Sequence, residues 1–189
     1  MQSTIGYLLE DEVPIKETII AIGGVPASGK TTLVRKLMQG LGKWEPYEHR
    51  LVKGHYNIEK NIYVIGIYNN DLFSGTDKLS MAVQPVFLDW VPTTNGATII
   101  FEGDRLFNQS LFNKYRKTKI YVVEAMPDII DQRRNDRATE QSIKFLKAKH
   151  TKILKVKHNN VYELLLNNKP IDIQDNVQTI IDYINNNKK

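Results

Sequence analysis

The sequence predicts an α/β protein, a three-layer α/β/α sandwich with a mainly parallel central sheet and a helical lid. Short apolar runs rich in β-branched residues alternate with segments that carry apolar residues at helical spacing. A glycine-rich run joins the first apolar run to the first helical segment. Polar residues also cluster just after the apolar runs, at the strand ends where ligands bind in parallel sheets.

The expected elements follow one another along the whole chain. Strands, each a short apolar run, are expected at residues 18–22, 62–68, 97–101 and 119–124, and residues 161–166 are either a last strand or a short helix. Helices are expected at residues 33–39, 79–90, 106–115, 128–149 and 177–184. Pro85 interrupts the second helix, and residues 44–68 suit a hairpin that turns near residues 59–61.

The length and composition fit one ordinary globular domain over residues 1–189. Within it we expect an N-terminal arm at residues 1–16 with a short strand at Ile5–Leu9, a lid region at 128–149 and a flexible tail at 185–189. The absence of cysteine excludes disulfides, thiolate nucleophiles and cysteine zinc sites, and it fits a cytoplasmic protein. Neither a secretion signal nor a membrane span is expected.

The run from Gly24 to Thr31 matches G-x-x-x-x-G-K-[ST] at every fixed position. In this motif the backbone N–H groups wrap the phosphates of a nucleoside triphosphate, the lysine reaches the β- and γ-phosphates, and the hydroxyl ligates Mg²⁺. The expected nucleotide contacts are Gly24, Ala27, Ser28, Gly29, Lys30, Thr31 and Thr32. The alternative is a glycine turn before an ordinary helix, but the flanking strand and helix favour the motif.

Two acids follow the strand at residues 97–101 and are candidate metal ligands. Glu102 or Asp104 could hold Mg²⁺ or position a nucleophile, and Thr31 would be the third oxygen ligand. The alternative is that both are solvated loop acids. Arg105, which comes next, could contact a phosphate of the substrate or neutralise these acids.

Asp77 follows the strand at residues 62–68 and precedes the next helix, so it is expected at the same sheet edge as Lys30. A carboxylate there could accept the proton of an alcohol during phosphoryl transfer. Aspartate also makes a good helix N-cap, and both interpretations stay open. Asp71 is the weaker candidate, because it sits in a turn-like sequence.

Arginines cluster in the lid region, where Arg133 and Arg137 share a helix face and Arg134 lies close to it. Arginines over the γ-phosphate would stabilise charge in the transition state, with Arg134 assigned to nucleotide binding. The alternative is a solvent-exposed helix whose arginines pair with neighbouring acids.

Cations and aromatic residues are mixed between residues 44 and 56. Lys53, His55 and Tyr56 are the candidate substrate contacts, since such residues hold an extruded base by stacking and phosphate contacts. The alternative is an ordinary hairpin surface. The formal net charge of +5 gives weak support to a polyanionic partner. His150 and His158 have no metal-binding spacing and are expected at the surface.

The chain resembles small P-loop kinases of the polynucleotide kinase and adenylylsulfate kinase type. Its runs GGVPASGKTT, FSGTDKLSMAVQP and IIFEGDRLF look like a bacteriophage family that phosphorylates the 5-hydroxymethyl group of modified pyrimidines, chiefly 5-hydroxymethyluracil, in DNA. The resemblance implies ATP and Mg²⁺ as cofactors and double-stranded DNA as partner. It also implies Asp77 as general base, Lys30 and Thr31 at the triphosphate and Mg²⁺, and Arg133 and Arg137 as the lid.

Two other functions compete with a DNA-base kinase. The chain could phosphorylate a free nucleoside, a nucleotide or another small alcohol, using the same residues. It could also be a GTP-driven switch or binding module. The sequence counts against the switch, because the run Asn168–Ile171 lacks the aspartate of the N-K-x-D guanine motif and no D-x-x-G follows residues 97–101.

Overall fold

The computed structural model describes residues 16–69, 74–136 and 141–187 and contains a seven-stranded sheet. The strands are β1 (Thr18–Gly23), β2 (Glu45–His49), β3 (Val52–Asn57), β4 (Ile62–Ile65), β5 (Thr98–Glu102), β6 (Lys119–Glu124) and β7 (Glu163–Leu166). The α-helices of the described residues are α1 (Lys30–Leu41), α2 (Val83–Trp90), α3 (Gln109–Lys114), α4 (Pro127–Asp136), α5 (Ile143–Asn159) and α6 (Pro170–Asn186).

The sheet has the strand order β2-β3-β4-β5-β1-β6-β7. The five strands from β4 to β7 in that order are parallel, and β3 and β2 extend the sheet as antiparallel strands. The central strand is β1, in which Ile20 is paired with Ile100 of β5 and with Lys119 of β6. The carboxyl ends of the parallel strands therefore meet at one edge, with the glycine-rich loop at its middle.

Apolar side chains pack on both faces of the sheet. On one face α1 and α6 cover the strands through residues such as Leu37 and Ile180, which are fully buried. On the other face α2, α3 and α5 pack through residues that include Phe87, Leu111 and Ile153. The predicted α/β class with a mostly parallel sheet is confirmed, and the two helical layers are compatible with a three-layer sandwich.

The hairpin region differs from its prediction in the number of strands. The expected turn lies between β3 and β4, but a second turn at residues 50–51 adds β2. β2 has no apolar face to reveal it, because all its residues except Tyr47 are exposed.

Three helical predictions were wrong in detail. Pro85 does not interrupt α2, because it lies in the first helical turn. Backbone N–H groups there make no hydrogen bond within the helix, so the N–H that proline lacks is not needed. The expected helix at residues 128–149 is two helices, α4 and α5, and the second continues to Asn159. The segment at residues 161–166 contains a strand, β7, and α6 begins at Pro170, before the expected start.

Several predicted features lie outside the described residues. These are residues 1–15 of the arm with the strand at Ile5–Leu9, Asp71, Arg137 of the lid and the last two residues of the tail. Among the described residues, none of the helices combines the length and the apolar character that crossing a bilayer needs.

Candidate active site

The glycine-rich loop connects β1 to α1 in a tight backbone path. Gly24 and Gly29 have φ values of +145° and +102°, which residues other than glycine rarely adopt. A Cβ atom at Gly24 would overlap the carbonyl oxygen of Val123, and one at Gly29 would overlap the side chain of Asn167. Ala27 is buried and also has a positive φ, of 67°. The loop conformation therefore requires its two glycines.

The N-terminus of α1 directly follows this loop. No side-chain hydrogen bond caps it, and its first turn contains no acidic residue. The N–H groups of such a first turn lack intrahelical partners and carry the positive end of the helix dipole. Thr32 is exposed in this turn. The loop and the helix end together offer N–H donors suited to an anion.

Lys30 and Ser28 contact polar atoms of the glycine-rich loop and of Asn167, which follows β7. Lys30 Nζ donates a hydrogen bond to the carbonyl oxygen of Val25 at 3.0 Å, so the lysine folds back along the loop. The Asn167 amide donates to the Ser28 carbonyl oxygen at 2.8 Å. Ser28 Oγ and Asn167 Oδ1 are buried and find no hydrogen-bond partner among the described residues. Polar atoms of α1, the loop and the end of β7 thus converge on the same place.

Thr31 and Glu102 form the contact that joins the loop to the end of β5. Thr31 Oγ1 donates to Glu102 Oε1 at 2.8 Å. Glu102 is 2% exposed, and this burial raises its pKa to about 7, although the charge of Lys30 and the Thr31 hydrogen bond act to lower it. Asp77 raises the pKa further and Arg35 lowers it. Glu102 is thus a carboxyl group that loses its proton near neutral pH.

The oxygen atoms of Thr31 and Glu102 suit a magnesium ion. Mg²⁺ prefers oxygen ligands and is usually held by one or two carboxylates together with substrate phosphates. The described residues contain no group of three or more His, Cys, Asp or Glu side chains that could hold a metal ion by themselves. Asp104 differs from Glu102, because its carboxylate forms ion pairs with Lys149 and, at 3.2 Å, with Lys152.

Asp77 lies in a short 3-10 turn over Thr76–Lys78, which follows β4. Its exposed carboxylate caps neither this turn nor α2. Asp77 Oδ1 instead accepts the backbone N–H of Asp104 at 2.6 Å. Gly75, two residues earlier, packs directly against the carboxylate of Glu102. Asp77 is therefore held at the same sheet edge as Glu102, with its carboxylate in reach of solvent.

The two arginines of α4 face different surroundings. Arg133 donates to the carbonyl oxygens of Asn167 at 3.0 Å and of Ser28 at 3.4 Å, so it reaches the glycine-rich loop. Arg134 pairs with Asp131 at 3.2 Å, while its buried Nε finds no partner among the described residues. Arg134 also lines a cavity of about 710 Å³, whose other lining residues include Val25, Ile130, Leu146 and His150.

Two of the predicted substrate contacts bind protein atoms. Lys53 forms an ion pair with Glu48 across β2 and β3 at 2.9 Å, and both side chains are about half exposed. Arg105 donates from Nε to the carbonyl oxygen of Leu79 at 3.4 Å. Neither contact contains an atom of the glycine-rich loop.

His55 and Tyr56 point to opposite faces of the sheet, because they are consecutive on β3. Tyr56 stacks on Tyr63 with ring centroids 4.2 Å apart and bonds Asn61 through its hydroxyl at 3.1 Å. His55 lies 6.3 Å from the ring of Tyr68, and burial lowers its pKa. The predicted trio of substrate residues is therefore not brought together.

Three residues of the site escaped the sequence interpretation: Arg35, Tyr68 and Asn167. Tyr68 is buried near Glu102 and Asp77. Its burial, together with the negative charges of these two acids, raises the pKa of its hydroxyl well above the usual value. Arg35 donates to Ser74 Oγ at 3.0 Å and to the Asn69 carbonyl oxygen. Asn167 and Tyr68 follow parallel strands, and Arg35 lies one helical turn after Thr31. Their positions near the carboxyl edge of the sheet are the sequence signal that could have identified them as site residues.

Taken together, the edge offers N–H donors, Lys30 and Arg133 for an anion, the Thr31–Glu102 pair for a divalent cation, and Asp77 for a proton. Comparison with known proteins adds no relative: no family model fits the chain, and no curated protein matches it.

Proposed function

We propose that this protein is an ATP-dependent kinase that transfers the γ-phosphoryl group of ATP to the hydroxymethyl group of a modified pyrimidine base in DNA. The observation that carries the proposal is the 2.8 Å hydrogen bond between Thr31 and Glu102. It joins a loop suited to phosphates to an acid at the end of the neighbouring strand. A hydroxyl and a carboxylate so placed are the protein ligands that a magnesium–triphosphate complex uses in P-loop enzymes.

The glycine-rich loop and the start of α1 would hold the triphosphate. Backbone N–H groups between Gly24 and Thr32 would surround the phosphates, and Lys30 would turn from the Val25 carbonyl oxygen towards the β- and γ-phosphates. Thr31 and Glu102 would hold Mg²⁺, which neutralises charge on the phosphate oxygens when bound. Arg133 approaches the same loop from α4 and adds positive charge there.

In the transfer step, the acceptor hydroxyl gives its proton to the Asp77 carboxylate. Its oxygen forms a bond to the γ-phosphorus, while the bond from that phosphorus to the oxygen bridging the β- and γ-phosphates breaks. The products are a phosphorylated hydroxymethyl base and ADP. Lys30 and Arg133 stabilise the charge on the transferred group, and such positioning supplies most of the catalysis in phosphoryl transfer.

The acceptor is inferred from the resemblance to phage base kinases, with the net charge of +5 as lesser support. The 5-hydroxymethyl group of a paired base lies in the major groove, and extrusion of the base from the helix would bring its hydroxyl to Asp77. The exposed position of Asp77 leaves its carboxylate accessible to such a base.

One experiment tests the proposal directly. Radiolabelled ATP is incubated with DNA containing 5-hydroxymethyluracil, with unmodified DNA and with the free nucleoside, each alongside the Lys30→Ala variant. We expect label only in the modified DNA and only with the native enzyme. Label in the free nucleoside alone would instead identify a small-molecule kinase, and transfer by Lys30→Ala at the native rate would exclude the glycine-rich loop from catalysis.

A further inference from the structure

We propose that the solvent face of α5 binds the sugar–phosphate backbone of the DNA substrate. The surface consists of Lys144, Lys147 and Lys155, which we call the lysine stripe. The inference rests on the proposed function only in taking DNA as the acceptor, and it assigns that DNA a docking surface on a helix outside the glycine-rich loop.

The lysine stripe is a continuous surface along one side of α5. Its members are spaced three and eight residues apart, so they lie on one face of the helix, and all three are exposed. The opposite face packs into the core through Ile153 and Val156. Eleven residues of helix separate the ends of the stripe by about 16 Å, a length that covers about five phosphates of one DNA strand.

The charge of the lysine stripe is not compensated by the described residues. The sequence of α5 contains no acidic residue. Lysines on the inner side of the helix form ion pairs, since Lys149 and Lys152 contact Asp104 and Lys157 contacts Glu124. The ion pairs found within residues 16–69, 74–136 and 141–187 include none of the three stripe lysines. Three exposed cations on one helix face, with no ion pair to any described residue, favour a polyanion.

Nucleic acid fits this surface better than an anionic membrane does. A helix that lies in a membrane surface buries an apolar face among the lipids beneath its basic face. α5 packs against the sheet through Ile153 and Val156, and its exposed apolar residues Ile143 and Leu154 lie to one side of the lysine stripe. They do not form the continuous apolar face that a membrane-surface helix buries, and Thr151, which is polar, lies between Lys147 and Lys155. A backbone of regularly spaced phosphates needs only the cations.

The inner side of α5 connects the lysine stripe to the candidate active site. Lys149 and Lys152 hold Asp104, whose backbone N–H donates to Asp77. The stripe and the loop of Asp104 are therefore separated by about the width of one helix, roughly 10 Å. DNA bound on the outer side of α5 would therefore lie beside the sheet edge that carries Asp77.

The test compares two triple variants with the same loss of charge. Lys144→Gln/Lys147→Gln/Lys155→Gln removes the stripe, and Lys16→Gln/Lys36→Gln/Lys43→Gln removes three exposed lysines elsewhere. Binding of a fluorescent hydroxymethylated duplex is measured by anisotropy over a series of salt concentrations, without ATP. We expect the stripe variant to bind at least about tenfold more weakly and its log–log salt slope to fall by about three, as losing three phosphate contacts requires.

The control variant should keep nearly the native affinity and slope, and both variants should bind ATP normally. Equal losses in the two variants, or native binding by the stripe variant, would overturn the inference. The inference would also be overturned if the protein bound phosphatidylserine vesicles through the stripe lysines and did not bind DNA. Stripe-dependent DNA binding without phosphoryl transfer to any acceptor would support the docking surface while removing the proposed kinase activity, so the two failures are distinguishable.

Discussion

The carboxyl edge around β1 and β5 and the antiparallel hairpins of β2, β3 and β4 contrast in how they arrange polar residues. At the edge, Thr31 of α1 and Glu102 of β5 are far apart in the chain and still share a hydrogen bond of 2.8 Å. On the hairpins, His55 and Tyr56 are consecutive and point to opposite faces. Parallel topology gathers distant residues at one edge, whereas the strand pleat separates adjacent ones.

The largest expected effect is at the centre of the edge. Lys30→Ala should lower kcat for phosphoryl transfer by about 10³-fold, because it removes a cation aimed at the transferred group. Circular dichroism should show an intact fold. Lys36→Ala, an exposed lysine of the same helix, is the matched control and should retain native turnover. A comparable kcat for the two variants would contradict a catalytic role for the glycine-rich loop.

The second prediction separates two neighbouring acids of the edge. Asp77→Asn should lower kcat by about 10²–10³-fold with little change in ATP affinity, because an amide cannot accept the acceptor proton. Asp104→Asn keeps the backbone N–H that bonds Asp77 and should have a much smaller effect on kcat. Steady-state kinetics and ATP titration measure both. The reverse order of the two kcat losses would move the base to Asp104.

Glu102 gives a prediction on stability. Its pKa of about 7, against the ordinary 4.5, corresponds to about 3 kcal/mol of destabilisation. The unfolded chain releases this proton at lower pH, so the native protein loses this stability as pH rises from about 4.5 to above 7. Glu102→Gln should therefore be more stable than the native protein at pH 8 and nearly equal at pH 5.

Thermal unfolding in the presence of a chelator measures the Glu102→Gln difference without bound metal. Asp104→Asn is the control, because that carboxylate is paired with lysines at the protein surface. A stability difference that is the same at pH 5 and pH 8 would show that Glu102 does not titrate between them.

On the hairpins, Tyr56→Leu should affect folding and leave catalysis unchanged. The substitution removes the stacking on Tyr63 and the hydroxyl contact with Asn61, and should lower the free energy of unfolding by about 1 kcal/mol. Urea denaturation and the DNA-labelling assay give the two readouts. Native stability combined with a loss of DNA labelling would instead assign Tyr56 to base recognition.

The smallest effect is expected at Lys53. Its ion pair with Glu48 is about half exposed, and such pairs contribute at most about 1 kcal/mol. Lys53→Gln should change DNA affinity by less than about twofold and should leave ATP affinity unchanged, as should Glu48→Gln. If Lys53→Gln weakens DNA binding as strongly as loss of the lysine stripe, the hairpins rather than α5 hold the backbone.

The central parallel strands were predictable because they are buried on both faces. The residues of β1 and β6 are apolar in sequence and nearly all buried, so strands were predicted within one residue of their observed bounds. β2 carries no such pattern, since only Tyr47 is partly buried there. The boundary between α4 and α5 was not predictable either, because residues 137–142, which separate the two helices, are mostly polar and show no periodic pattern.

The candidate site followed the same division. Glu102 was predicted from its place directly after a buried strand. Asn167 occupies the equivalent place after β7, but the sequence did not decide between strand and helix there, and its role was missed. The burial of Tyr68 and the partners of Asp104 depend on packing between distant elements, which no local pattern contains. Lys149 and Lys152 reach Asp104 only after α5 has docked.

The central position of β1 also has a consequence for how the chain acquires its structure. The hairpins of β2, β3 and β4 close over short loops, but Ile20 of β1 pairs with Ile100 and Lys119, which lie much later in the chain. Such long-range pairing slows folding and leaves an apolar strand exposed in the meantime. During synthesis the hairpins can therefore form before β1 pairs, and β1 is open to aggregation until β5 and β6 have left the ribosome.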